Sequence, residues 1–161
     1  MNNALGDLTA VIVKAEVDMK KREIWLRRLW NAIQEDGYGY IESLADRWGE
    51  LCIEKEIASR WADEFIGAVK SSFQYGGCFK GSSACLSCLL AAGRTEELLG
   101  LLKLAPYTWW HYRRFGVQAL LQLGDKAAAL CYAKESVGLN DSSMEMEEVC
   151  QDNIFKQAGL K

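Results

Sequence analysis

The stretches "ACLSCLLAAGRTEELLGLLK" (84–103) and "FGVQALLQLGDKAAALCYAK" (115–134) lie on each other at an offset of 31 residues. Leu89 falls on Leu120, Leu90 on Leu121, Gly93 on Gly124 and Leu99 on Leu130. A further copy begins in "VCQDNIFKQAGLK", where Gly159 can be laid on Gly124 and Ala158 on Leu123. Self-similarity at a period of about 20–50 residues is the signature of stacked structural units. Each copy reads as an apolar helix, then a glycine free to take the left-handed conformation that ends it, then Arg94 or Asp125 leading into a second helix. Such a pair cannot bury its apolar face alone. The reading is therefore antiparallel helical hairpins stacked as a short α-solenoid, with Pro106 between the first unit and the second.

The rest of the chain agrees. Leu26, Leu29, Trp30 and Ile33 recur at the spacing of one helical face, and Gly37 and Gly39 end that stripe. Ile41, Leu44, Ala45, Trp48, Leu51 and Cys52 repeat the spacing, and so do Ala58, Trp61, Ala62, Phe65 and Val69. Leu8 to Val17 is apolar but less regular, and reads as a helix continuous with the one that starts near Met19. "SFQYGGCFKGSS" is a loop by its glycine and serine content. The expected organisation is one all-α domain over 1–161, about eight helices in all, with N-terminal helices over 1–75 and hairpins over 82–161. Ser142 with Glu145 fits a capping box opening the last helix.

Composition limits the function classes. The 161 residues are half hydrophobic and contain a single proline, a globular balance. A net charge of −3 disfavours nucleic acid, whose phosphates call for a basic face. No run of apolar residues is long enough for a membrane span, and the start has no basic stretch followed by an apolar one. The expectation is a cytoplasmic protein with reduced thiols, although it carries 6 cysteines.

The turn "LGDKAAALCYA", with Gly124, Asp125 and Ala129, resembles the "G-D-x-x-x-A" turn of tetratricopeptide repeats. "AAGRTEELLGLL" matches less closely, since Leu98 stands where that pattern has alanine. From about Trp48 to Lys161 the segments "WGELC", "ASRWADEF" and "WWHYRRFGVQALLQLGDKAAALCYA" are similar to an uncharacterised family of bacterial helical-repeat proteins. That resemblance implies architecture and no activity.

Three places could carry chemistry or recognition. Cys78, Cys85 and Cys88, with Cys52 or His111 as a fourth ligand, could hold zinc, and Cys85 near a helix start could be a redox thiol. Against this, only one CxxC exists, it follows no strand, and the repeat places Cys85 and Cys88 on Gly116 and Ala119, positions of small side chains. Buried thiols are the expectation, with no metal and no cofactor. "DMKKREIWLRRLW" sets Lys20, Lys21, Arg22, Arg27 and Arg28 near Trp25 and Trp30, as in a helix for an acidic partner or a membrane surface. The plainer reading is a solvated face with a Glu23–Arg27 pair at i,i+4.

"TWWHYRRFG" begins the helix after Pro106, with Thr108 as its cap, and gathers the residue types of binding hot spots. Trp110, His111, Arg113 and Arg114 are the expected partner-binding residues. Alternatively the tryptophans wedge hairpins together and the arginines cover them. No nucleophile elbow, P-loop or metal-binding helix motif is present, so no enzyme activity is expected. The functional expectation is a protein- or peptide-binding scaffold or adaptor. The alternatives are a small inhibitor from a mobile element that blocks a host complex, and a cysteine-based zinc or redox protein. A homodimer through the unfinished terminal helix is a further expectation, because a lone helix leaves an apolar face uncovered.

Overall fold

The structure, a computed structural model, describes residues 2–106 and 108–136, with side chains from residue 6 onward. The capping box at Ser142 and Glu145, the further repeat copy and Cys150 lie outside the described residues. Among the described residues there are eight α-helices, one 3-10 helix and no strand, so the chain is all-α. The helices are α1 (Asn2–Lys14), α2 (Met19–Glu35), α3 (Trp48–Cys52), α4 (Lys55–Tyr75), α5 (Ser82–Ala92), α6 (Thr95–Leu102), α7 (Trp110–Gln122) and α8 (Lys126–Lys134). The 3-10 helix, Glu42–Arg47, runs directly into α3. No described helix is long and apolar enough to cross a membrane. Two compact units divide the chain, Met1–Arg94 and Thr95–Lys161.

In the first unit α5 is the central element. Every residue from Ser82 to Leu89 is buried, as expected of a helix that is apolar all round. It packs on α4, α3 and the 3-10 helix. The α3 contact is unusually close. The amide of Gly49 donates to Ser87 Oγ at 2.9 Å, and a Cβ built on Gly49 would overlap the Ser87 carbonyl. Glycine is required there by proximity rather than by its torsion angles.

A cluster of rings fills the rest of this core. Trp30 meets Trp48 edge-on at 5.8 Å and Phe65 at 4.6 Å, while Trp48 meets Trp61 edge-on at 5.3 Å. These are the separations at which aromatic pairs attract beyond their buried area. Leu26, Trp30 and Ile33 of α2, and Trp61, Phe65 and Val69 of α4, are buried as their spacing predicts.

Three local expectations are corrected. The 8–17 segment does not continue into α2: α1 ends at Lys14, and the carboxylate of Asp18 caps α2 by accepting from the Lys21 amide at 2.8 Å. Residues 41–52 form a 3-10 helix plus a short α-helix rather than one α-helix, because apolar spacings of three satisfy both windings. The Glu23–Arg27 pair gives way to pairs between helices. Arg27 clasps Glu64 with two hydrogen bonds and lies over Trp61 at 4.4 Å, while Glu23 meets Arg60 at 2.6 Å.

In the second unit α7 packs on α6 and α8. Val117, Ala129 and Ala133 form its buried cluster, with Trp110, Leu120, Leu121 and Tyr132 against it. Gly116 allows the approach, since a Cβ there would come within 2.7 Å of the Tyr132 ring and 2.9 Å of Leu102.

The helix ends at Gly93 and Gly124 have one geometry. Both glycines have positive φ, 76° and 80°. Gly93 N–H donates to Leu90 O at 3.1 Å and Arg94 N–H to Leu89 O at 2.9 Å; Gly124 N–H donates to Leu121 O and Asp125 N–H to Leu120 O, both at 3.0 Å. Two of the carbonyls left open at each helix end are thereby satisfied by the same pair of bonds. Gly76 ends α4 with a positive φ too, but there both Gly76 and Gly77 donate to Ser72 O. Burial follows the 31-residue offset as well: Leu86 and Val117, Cys88 and Ala119, Leu98 and Ala129, and Leu102 and Ala133 are buried pair by pair.

Candidate functional site

The aromatic and basic segment opens α7. Its cap is Trp109, in extended backbone conformation, rather than Thr108, and no side chain completes it. Helical geometry then distributes the four expected contact residues over different surroundings. Trp110 leans on the Val117–Ala129–Ala133 cluster, so it is packing as well as surface. Arg113, one turn on, lies on the same face and is only 13% exposed in its side chain. Its guanidinium stacks on Tyr132 at 3.9 Å and reaches Glu135 of the α8 end at 3.6 Å. Arg114 donates from Nε to the His111 carbonyl at 3.1 Å and lies 5.0 Å over the Phe115 ring.

His111 is exposed. Its ring stands 5.3 Å from Tyr112, which in turn stands 6.0 Å from Trp109. Trp109 is 39% exposed, a large fraction for a tryptophan. The accessible part of this segment is therefore Trp109, His111 and the flank of Tyr112, with Arg114 beside them. Trp109 is the residue that reading the sequence for contacts left out; being one residue before the helix, it escapes the helical face that turns Trp110 inward.

The cysteines are distributed differently from the zinc reading. Cys78 is exposed on the loop after α4, while Cys85 and Cys88 are buried in α5. Cys85 directs its thiol toward the Ala62 carbonyl of α4 at 3.8 Å, whereas Cys88 is hydrogen-bonded with buried Cys52 of α3. Burial first, then Cys52 and Cys85 beside it, pushes the Cys88 thiol well above the usual range. A thiol held protonated is a poor nucleophile and a poor metal ligand. Among the described residues no group of three or more histidine, cysteine, aspartate or glutamate side chains is arranged to hold a metal ion.

The basic residues of α2 also separate. Arg27 is engaged by Glu64, which raises the arginine pKa and lowers that of the glutamate, both chiefly through their hydrogen bond. Lys21 sits 5.9 Å from the Trp25 ring. Arg22 is turned inward and is only 4% exposed. A cavity of about 350 Å³ lies between α1 and α2, lined by Leu8, Ile12, Trp25, Leu26 and Leu29 with Arg22 and Arg28.

No protein-family model, curated protein or solved structure matches the chain.

Proposed function

We propose that this chain is a non-enzymatic protein-binding scaffold, a short tetratricopeptide-like solenoid of antiparallel helical hairpins acting in the cytoplasm. The observation that supports it most is the identical pair of hydrogen bonds closing the helices at Gly93 and Gly124, 31 residues apart, with matching burial on either side. A chain that uses one helix-ending device twice at a fixed period is using one building block twice. Scaffolds of this kind act through the surface their units present.

The contact surface on this reading is the start of α7. Trp109 and His111 supply accessible rings, Arg114 a cation, and Trp110 and Arg113 hold the segment against α8. Rigid aromatic side chains with arginine beside them lose little conformational freedom on binding. The occupant is a protein or peptide segment.

A photo-crosslinking amino acid at position 109, compared with one at exposed Tyr75, tests this. The proposal expects one protein to be captured repeatedly from position 109 and not from 75. Trp109→Ala with Arg114→Ala should then release that protein while helicity is retained. Equal capture from both positions, or co-purification of that protein undiminished in the double variant without a crosslinker, contradicts the site. In the Arg113→Ala, Arg114→Ala protein, unchanged binding with unchanged stability would contradict a role for the two arginines.

A further inference from the structure

We infer that the cavity between α1 and α2 is a binding site for a small anionic amphiphile, a carboxylate carried on an aliphatic chain. This site lies within the first unit and is independent of the α7 surface. Three observations converge on it.

The first is the state of Arg22. It is a buried cation, and buried cations are ordinarily matched by an anion. Among the described residues none is supplied. Its guanidinium donates to three carbonyls instead: Ile12 O at 3.0 Å, Ala15 O at 2.7 Å and Leu51 O at 3.4 Å. Those bonds tie together the C-terminal ends of α1 and α3, where helix dipoles favour a positive charge. Arginine has five N–H donors in a planar fork, so the carbonyls leave donor capacity on a side chain that also lines the cavity.

The second is the composition of the wall. Leu8, Ile12, Trp25, Leu26 and Leu29 are apolar, and the only polar lining residues are Arg22 and Arg28. Arg28 is exposed and makes no hydrogen bond or ion pair with any described residue. Lys21 adds a third cation on the Trp25 ring. No acidic side chain lines the cavity. A ligand complementary to such a site has an apolar body and one negatively charged end.

The third is size. A volume of about 350 Å³ falls at the small end of ligand pockets, which suits a single medium-length chain better than a peptide helix needing an open groove.

Titration calorimetry with decanoate below its micellar concentration tests the inference, with decan-1-ol as the uncharged counterpart. The expected result is saturable one-to-one binding of decanoate, with decan-1-ol at least tenfold weaker. Leu8→Trp, which fills the cavity from a partly exposed position, should abolish binding, and Arg28→Gln should weaken it about fivefold or more. Circular dichroism checks that both variants keep their helix content. Amide shift changes on titrating the unaltered protein provide a readout that needs no variant; they should centre on α1 and α2. The inference is overturned if decanoate does not saturate, if the alcohol binds as well as the acid, if the shifts centre elsewhere, or if folded Leu8→Trp protein binds undiminished. Concentration-dependent dimerisation lost in Leu8→Trp, without decanoate binding, would assign the face to a second copy of the chain and likewise overturn it.

Discussion

Gly49 and Gly67 are both helical glycines of the first unit, and the structure predicts opposite outcomes for the same substitution. Gly67 lies in α4 with nothing within 4 Å of the position a Cβ would take. Alanine there gains helix propensity at no steric cost, so Gly67→Ala should stabilise by roughly 0.5–1 kcal/mol. Gly49 faces α5: its added methyl would overlap the Ser87 carbonyl and stand 2.7 Å from the Ala91 Cβ. Neither neighbour is a flexible side-chain end, so α3 must move away from α5. That movement strains the packing and stretches the buried bond from the Gly49 amide to Ser87 Oγ. Overpacking costs about 1–3 kcal/mol and a compromised buried donor about 1–3, against about 1 gained from propensity, so Gly49→Ala should lose roughly 1–5 kcal/mol. Urea unfolding followed by circular dichroism measures both, with the slope checked for constancy. Because the two sites belong to one compact unit, they report on the same transition. A Gly49→Ala protein as stable as the unaltered chain would refute the close α3–α5 contact, and with it the placement of the core around α5.

Further outcomes follow from particular residues. Ile53 ends α3 with φ 62° and ψ −56°, a tight turn closed by the Glu54 amide on Cys52 O at 2.7 Å, and β-branched residues disfavour positive φ. Ile53→Gly should therefore stabilise by about 1 kcal/mol in the same urea assay, and a loss of stability would contradict the strained turn. Under native conditions a thiol reagent should label Cys78 and Cys131 fast, and Cys52, Cys85 and Cys88 only on unfolding; peptide mapping reads this, and fast labelling of Cys88 would contradict its burial. Glu64 is held below its ordinary pKa by the hydrogen bond from Arg27, and Asp36 by the amide of Ile41 first and that of Tyr38. A depressed carboxylate stabilises fully above its unfolded pKa, about 4, and that contribution is lost as pH falls through the folded value. Tm should thus fall from pH 5 toward pH 3, less steeply in Glu64→Gln; a Tm that is flat over that range contradicts both assignments.

The apolar stripes of α2 and α4 were legible in the sequence because each helix buries one face and leaves the other wet. Helix α5, buried all round from Ser82 to Leu89, carries no such stripe, and the repeat rather than the periodicity disclosed it. The 41–52 segment misled because Ile41, Leu44, Ala45 and Trp48 fit windings of three and of 3.6 residues equally. Cys52 was legible as a companion of Cys85 and Cys88, but not the turning of their thiols toward different helices. Nor does the sequence distinguish Arg22 from the other cations of "MKKREIWLRR". Its inward turn is decided by the carbonyl ends of α1 and α3, and only the folded chain brings these together.

Nuclear magnetic resonance of the two helix ends tests most directly whether one building block is used twice. Couplings across hydrogen bonds should link the Arg94 amide to the Leu89 carbonyl and the Asp125 amide to the Leu120 carbonyl, with Gly93 and Gly124 both at positive φ. Different acceptors at the two turns, or extended backbone on either side of one of them, would contradict the repeat.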